Sequence, residues 1–172
     1  MGLRDKKIAV LVEDLYQDLE VWYPLLRLRE EGAIVKTVGT GNKKVYKSKH
    51  GYEIEVDTDA GKLSSDDIDG IIIPGGYAPD ILRRYESVIT LVRDSFYADR
   101  VISSICHGAW VLVSADILAE RKATCFYAIK DDIINAGAKY IDEEVVVDGK
   151  LITSRKPEDL PRFMQETIRA LQ

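Results

Sequence analysis

The sequence predicts an α/β/α sandwich around a mainly parallel central sheet. Short apolar runs rich in Val and Ile, typical of strands buried on both faces, alternate with longer segments whose apolar residues recur at helical spacing. One pair of apolar runs flanks Asp148-Gly149, a hairpin signal that predicts a small antiparallel part. The 172 residues, 46% apolar and 31% charged, fit a single domain over residues 1–172 with one sizeable core.

The first half of the chain is predicted to supply five strands and two helices. The expected strands are residues 8–12, 34–38, 45–46, 52–56 and 70–74. Asp18 is the expected N-cap of the first helix, and Gly32 is expected to end it. Pro24 lacks an N–H and is expected to bend that helix. Ser64-Ser65-Asp66-Asp67 predicts a capped turn, and residues 88–96 predict the second helix.

The second half is predicted to continue the alternation of strands and helices. A strand at residues 101–105 leads to a helix, and a strand at residues 123–126 places Cys125 in the core. The remaining predicted elements are a helix at 130–136 that ends at Gly137, hairpin strands at 144–147 and 151–153, and an amphipathic helix from Leu160 to Leu171. Strand therefore follows strand through helical crossovers, as in a parallel sheet.

The segment around Cys106 predicts a sharp strand-to-helix turn that carries a nucleophile. Small residues, Ser104 and Gly108, lie two positions before and after the cysteine, where a tight turn leaves no room for large side chains. N–H groups and the dipole at a helix start favour an anion, so we expect a thiolate, with a pKa of roughly 3.5–7.5. His107 follows as a possible partner. The alternative is a buried structural cysteine.

Several motifs, taken in order, resemble the PfpI family of intracellular cysteine proteases and deglycases, part of the class I glutamine amidotransferase-like superfamily. The motifs are Asp18-Leu19-Glu20, Tyr23-Pro24, Lys49-His50-Gly51-Tyr52, Pro74-Gly75-Gly76, Ala78-Pro79-Asp80, Ser104-Ile105-Cys106-His107-Gly108, Ile129-Lys130-Asp131-Asp132 and Ser154-Arg155. They run through nearly the whole chain. The resemblance implies a flavodoxin-like fold, a cysteine nucleophile and a homo-oligomer, either a dimer or a hexamer.

Three predicted strands end in residues suited to chemistry, and ligands collect at the carboxyl ends of parallel strands. These ends are Glu13 with the segment to Glu20, Gly75-Gly76, and Cys106-His107. The N–H groups of Gly76 and His107 are candidates for an oxyanion hole. From sequence alone a plain glycine turn is an equal alternative, and the resemblance favours the oxyanion role. The resemblance also places Glu20 beside the thiol as a protonated carboxyl. The alternative is that Glu20 is a solvated helix residue, as most glutamates are.

Two roles are possible for Asp80. The resemblance implies that an acid at this position reaches the histidine of a neighbouring subunit, here His107, and completes a catalytic set of Cys106, His107, Glu20 and Asp80 across an oligomer interface. Such an acid would orient His107 for acid/base work. The alternative is that Asp80 is only the N-cap of the turn Ile81-Leu82-Arg83.

The chain departs from the family pattern at three places that bear on substrate preference. Gln17 stands where some relatives have glutamate, and Tyr77 replaces a frequent arginine, which removes a bidentate partner for an anion. Phe126-Tyr127 replaces a tyrosine-proline or tryptophan-proline pair. We expect these four residues, with Gly75, to line the substrate pocket.

Metal and cofactor chemistry is not expected. The two histidines, His50 and His107, are far apart in sequence and neither lies in a carboxylate-histidine cluster, so no metal site and no cofactor are predicted. His50 is interpreted as a turn or surface residue rather than a chemical one.

Three functions remain open from the sequence. The first is a hydrolase in which a Cys106 thiolate attacks carbonyl carbon, on methylglyoxal or glyoxal adducts or, weakly, on peptides. The second is a glutathione-independent glyoxalase that converts methylglyoxal to lactate. The third is a redox sensor or stress chaperone that uses Cys106 without turnover. An acid/base role for His107, oriented by Asp80, favours an enzyme.

The net charge and the cysteine content limit which binding partners and which cellular compartment are expected. The net charge of −5, without a long basic run, argues against nucleic acid as the main ligand. No apolar amino-terminal segment predicts a signal peptide or a membrane span. Two cysteines do not make a disulfide framework, so a cytoplasmic protein with reduced thiols is expected.

Overall fold

A seven-stranded sheet forms the centre of the molecule in a computed structural model that describes residues 2–172. The described residues form eleven strands, seven of them in this sheet and the others in the two-stranded sheets β3-β4 and β8-β9. They are β1 Lys7–Leu11, β2 Ile34–Gly39, β3 Val45–Lys47, β4 Glu53–Glu55, β5 Thr58–Asp59, β6 Gly70–Ile73, β7 Val101–Ile105, β8 Lys122–Ala123, β9 Lys139–Tyr140, β10 Val145–Asp148 and β11 Leu151–Ser154. The sheet order is β10-β11-β7-β6-β1-β2-β5. Only β10 pairs antiparallel in it, with β11. The predicted parallel sheet with an antiparallel hairpin is confirmed.

The central strands are buried on both faces because their side chains are apolar without alternation. All residues of β6 and β7 are buried, and β1 is exposed only at Lys7. Helices therefore have to cover both faces of the sheet. They are α1 Asp18–Glu30, α2 Ala78–Leu82, α3 Glu86–Tyr97, α4 Ala109–Ser114, α5 Lys130–Asn135 and α6 Leu160–Leu171.

The helices fall into two packed groups. Helix α1 packs against α6, while α4 packs against α2, α3 and α5. Helix α6 shows the cause most clearly, since its apolar residues recur at helical spacing and all face the core, from Leu160 through Phe163 and Met164 to Leu171. This arrangement confirms the predicted sandwich. No helix within residues 2–172 is long and apolar enough to cross a lipid bilayer.

Two local predictions at the start of α1 and in the hairpin were wrong. Gln17, not Asp18, is the N-cap of α1, because its Oε1 accepts a hydrogen bond from the Glu20 N–H at 3.1 Å. In the hairpin, Asp148 pairs with Leu151, so the two-residue loop is Gly149-Lys150 rather than Asp148-Gly149. Helix α1 continues through Pro24 to Glu30.

The predicted strand at residues 123–126 is shorter than expected. Strand β8 covers only Lys122–Ala123 and pairs with β9 in a separate two-stranded sheet. The pairing stops at Thr124 because its N–H donates to the side-chain oxygen of Thr153, at 2.9 Å, instead of to a backbone carbonyl. Cys125 is fully buried, as predicted, but lies outside a strand.

Candidate active site

The nucleophile turn lies between β7 and α4. Strand β7 ends at Ile105, and Cys106 has a φ of 61°, in the left-handed region that a residue with a side chain rarely adopts. A 3₁₀ turn, Cys106–Gly108, leads into α4. A Cβ at position 108 would lie 2.5 Å from the carbonyl oxygen of Ile73 and 2.7 Å from Ser104 Oγ. The small residues that flank the cysteine are therefore required by the close approach of β6 and β7.

Glu20 is the buried acid of the site. Its side chain is fully buried, and Oε2 accepts a hydrogen bond from the Gly75 N–H at 2.7 Å. Burial raises the pKa of Glu20 to about 7, against opposing contributions from the Gly75 N–H, a hydrogen bond with Cys106 and the charge of Lys49. Oε1 is buried and has no hydrogen-bond partner in the described chain. Helix α1 thus directs a carboxyl with a raised pKa at the sulfur.

The expected low pKa of Cys106 is wrong. Burial, followed by the Glu20 carboxylate, raises the pKa of the thiol well above its ordinary value. The backbone N–H groups of His107 and Gly76 face the sulfur and lower the pKa, as a helix start was expected to do, but they are outweighed. Because Cys106 is only 8% exposed, few water molecules stabilise its charge. The thiol and Glu20 therefore form one coupled pair.

The glycines after β6 allow this pair to form. A Cβ on Gly75 would lie 2.6 Å from Glu20 Oε2 and 2.7 Å from Cys106 Cβ. Gly76 has a φ of 78°, and a Cβ there would lie 2.5 Å from the carbonyl oxygen of Leu15. Since the Gly75 N–H is used by Glu20, the N–H groups left facing the sulfur are those of Gly76 and His107. These are the two that the sequence singled out for an oxyanion.

His107 contacts the sulfur directly, with Nδ1 3.3 Å from Cys106 Sγ. Its ring stacks on Phe126, with centroids 4.9 Å apart, and meets Trp110 edge to face at 5.1 Å. Burial, and then the charge of Lys49, lower the pKa of His107. Two aromatic side chains of its own chain therefore pack against the ring and hold it beside the sulfur.

Asp80 lies inside α2 and forms an ion pair with Arg84, two residues beyond the end of that helix. The N-cap of α2 is Tyr77, so the alternative reading of Asp80 as an N-cap is wrong. No carboxylate of the described chain hydrogen-bonds to His107. The predicted contact between Asp80 and the histidine of a neighbouring subunit stays a prediction.

A cavity of about 560 Å³ opens above the pair, and it is called the Cys106 cavity below. Gln17, Tyr77 and Phe126 line it as predicted, together with Gly76, Glu20 and His107. Tyr127 was expected in the lining but is 71% exposed, and Gly75 lies beneath the carboxyl rather than in the wall. Four lining residues were missed by the sequence reasoning: Leu15, Lys49, Trp110 and Pro157.

Two further predicted residues lie outside the cavity lining. Glu13 is buried, and its carboxylate accepts hydrogen bonds from Thr40 Oγ1 at 2.5 Å and from the Asp14 N–H at 2.9 Å, which ties the ends of β1 and β2 together. His50 is exposed, with Nδ1 2.7 Å from Asp18 Oδ2, consistent with the expected surface role. Across residues 2–172 no group of three or more His, Cys, Asp or Glu side chains is placed to hold a metal ion.

The sequence and fold identify the family. The profile of the DJ-1/PfpI family matches residues 6–170. The chain belongs to the DJ-1/PfpI family. A deglycase of Thermococcus kodakarensis and Deglycase PfpI of Pyrococcus furiosus are each 40% identical to this DJ-1/PfpI chain over 166 residues, which is 96% of this chain and 99% of theirs. Protein/nucleic acid deglycase 2 of Escherichia coli is 39% identical over 168 residues, 96% of this chain and 98% of its own.

Solved structures show the same DJ-1/PfpI fold. A two-domain protein of Anabaena variabilis, with DJ-1/ThiJ/PfpI-like and ferritin-like domains, superposes with a TM-score of 0.95 at 37% identity. That match covers 97% of this chain but only 48% of the Anabaena chain, so this chain spans about half of its length. Drosophila melanogaster DJ-1beta superposes with a TM-score of 0.89 at 25% identity, over 97% of this chain and 90% of its own.

Proposed function

We propose that this DJ-1/PfpI chain is a cysteine-dependent deglycase that acts on glyoxal and methylglyoxal adducts of amines and thiols. One observation carries the proposal: the Cys106 thiol contacts a buried carboxyl with a pKa of about 7 at the base of a cavity. Perturbed pairs of this kind mark reactive sites. The deglycase names of relatives at about 40% identity support the same substrate class here.

The proposed reaction begins when the adduct carbinol collapses, which frees the amine or thiol and leaves an aldehyde carbon in the Cys106 cavity. The sulfur of Cys106 bonds to that carbon, and the carbonyl electron pair moves onto oxygen. The N–H groups of Gly76 and His107 face the sulfur and therefore lie beside the developing oxyanion. The thiolate that attacks forms when Glu20 holds the proton of the pair, because a neutral carboxyl no longer repels the sulfur charge.

The second half of the reaction moves a proton and consumes water. A base takes the proton from the former aldehyde carbon, and a proton returns to the neighbouring carbon, which converts the hemithioacetal into a thioester. His107 suits this role, since its ring lies against the sulfur and its lowered pKa leaves it neutral at pH 7. Water then cleaves the bond to sulfur. The adduct and one water give a free amine or thiol and an α-hydroxy acid without an external oxidant, because one carbon is oxidised while its neighbour is reduced.

The test uses purified methylglyoxal adducts of N-acetylcysteine and N-acetyllysine in the presence of a scavenger of free methylglyoxal. The wild-type chain is expected to release thiol or amine faster than a sample without enzyme, together with lactate. Cys106→Ser is expected to reduce release to the rate without enzyme and to abolish lactate. Cys125→Ser is the matched control, because Cys125 is fully buried and does not line the Cys106 cavity. Release above the rate without enzyme, or lactate, that survives Cys106→Ser would overturn the proposal. If lactate formed only from free methylglyoxal, the activity would be that of a glyoxalase. If a denatured protein were cut into peptide fragments, it would be that of a protease.

The proposed setting of this enzyme is the cytoplasm, where the unpaired Cys106 and Cys125 stay reduced. We also propose that the active form is a homo-oligomer in which Asp80 reaches His107 of a neighbouring subunit. Asp80 lies in the middle of the short helix α2, and its side chain is 28% exposed despite its ion pair. It therefore remains accessible to a second chain.

A further inference from the structure

Lys49 is the cation of the Cys106 cavity. Among the described residues that line it, Lys49 is the one lysine or arginine, and most of the remaining wall is apolar, including Leu15, Trp110 and Phe126. The charge of Lys49 lowers the pKa of both Glu20 and His107, so its field reaches the two groups that flank the sulfur. A positive charge is therefore held next to the place where substrate reacts.

The backbone around Lys49 is braced. Its N–H donates to the carbonyl oxygen of Tyr16 at 3.0 Å. Ser48 Oγ accepts hydrogen bonds from the N–H groups of His50 and Tyr52, at 3.1 and 3.0 Å, and donates to Asp18 Oδ1 at 2.6 Å. The other oxygen of Asp18 holds His50. This explains the Lys49-His50-Gly51-Tyr52 motif: the histidine and its neighbours fix the turn that presents the lysine.

The ammonium of Lys49 has no counter-ion of its own within residues 2–172. Two lysines nearby in the sequence are paired, Lys43 with Asp14 and Lys47 with Glu53, but no carboxylate of the described chain lies within 4.0 Å of Lys49 Nζ. Holding a long cationic side chain at a cavity without a partner leaves its charge available to an anion. Tyr77, in the same wall, adds no second cationic side chain.

We infer that Lys49 binds the carboxylate of the α-hydroxy acid that the reaction forms. The inference rests on the proposed function, since that reaction turns a neutral adduct into an acid. The new carboxylate is drawn to the ammonium, and its methyl group meets the apolar wall. A single ammonium makes a point contact rather than a bidentate one, so the affinity is modest and the product can leave.

The test measures binding without turnover. L-lactate, glycolate and neutral lactamide are titrated at constant ionic strength, and the ring resonances of His107 are followed by NMR. Lys49→Met is expected to weaken lactate binding about two- to fivefold, the worth of an exposed ion pair. Lys49→Arg is expected to retain binding, and lactamide is expected to respond equally in all variants. Lys47→Met is the matched control. It removes the same charge from a lysine two residues before Lys49, and the side chain of Lys47 does not line this cavity.

A second readout separates electrostatics from folding. Lys49→Met is expected to raise the pKa of His107, since the lysine charge now lowers it, while circular dichroism stays unchanged. Equal lactate binding in Lys49→Met and wild type, an equal loss in Lys47→Met, or no lactate binding by the wild type would overturn the inference. If lactate binds in a Lys49-dependent way but adducts are not turned over, the deglycase proposal fails and the anion site stands.

Discussion

Replacing Glu20 by glutamine is expected to change how the stability of the fold depends on pH. The glutamine amide keeps the shape of the carboxyl and still accepts the hydrogen bond from Gly75, but it does not titrate. In the folded protein the pKa of Glu20 lies at about 7 instead of 4.5, because burial disfavours the charged form. The folded state therefore binds this proton more tightly than the unfolded chain does.

The sign and size of this pH-dependent change in stability follow from proton linkage. A raised folded-state pKa gives a stabilising contribution that is complete below pH 4.5 and is lost as the pH rises through about 7. At ~1.4 kcal/mol per pH unit, a rise from 4.5 to about 7 corresponds to about 3 kcal/mol. Wild type is expected to lose about that much free energy of unfolding, relative to Glu20→Gln, between pH 4.5 and pH 8.

The assay is urea unfolding of both chains across this pH range. Glu30→Gln, which removes an exposed carboxylate from the other end of the same helix, corrects for a general change in charge. In a parallel alkylation series, Cys106 of Glu20→Gln is expected to react at lower pH than in wild type, because the carboxylate now raises the pKa of the thiol. A stability difference that does not vary with pH, or an unchanged alkylation profile, would refute the coupling.

Three further outcomes follow from the site. With limiting iodoacetamide, Cys106 should be labelled before Cys125, because its sulfur opens to a cavity while Cys125 is 0% exposed; peptide mass spectrometry reads the order, and labelling of Cys125 first would contradict it. Gly75→Ala should lower kcat/KM roughly 100-fold, the cost of about a 1 Å displacement, because its Cβ displaces the Glu20 carboxyl; unimpaired turnover would show that this contact is not needed. Inactive Cys106→Ser and Asp80→Ala chains, unfolded and assembled together, should partly regain activity, and no recovery in verified mixed oligomers would rule out a shared site.

The parts of the fold that sequence predicts well are those that depend on local pattern. Strand β7 and helix α6 follow from runs of apolar residues and from helical spacing, and both appear where predicted. The turn at Cys106 also follows locally, because the small residues on either side of it leave the space that a sharp turn needs. Each of these signals lies within a dozen residues.

The parts that sequence missed depend on contacts between distant segments. Lys49 reaches the cavity because Tyr16 bridges Ser48 on one side and Gly76 on the other, which brings three loops together. The thiol pKa was misjudged because a helix start lowers it through local N–H groups, whereas burial and a carboxylate from α1 are tertiary effects. Gln17 took the capping position from Asp18 because the aspartate is engaged by a turn about thirty residues away.

The hydrogen bond from Gly75 to Glu20 makes one backbone amide a natural reporter of where the site keeps its proton. A hydrogen bond to a carboxylate is stronger than one to a neutral carboxyl, so this amide is held more tightly when Glu20 is charged. Its proton resonance should therefore move downfield as the pH rises through about 7, and its exchange with solvent should become slower relative to the rate of an unprotected amide at the same pH. Any ligand that shifts the balance between carboxyl and thiol will move the same signal. The protonation state of the site can therefore be followed at a main-chain amide, without a chemical label or a substitution in the site.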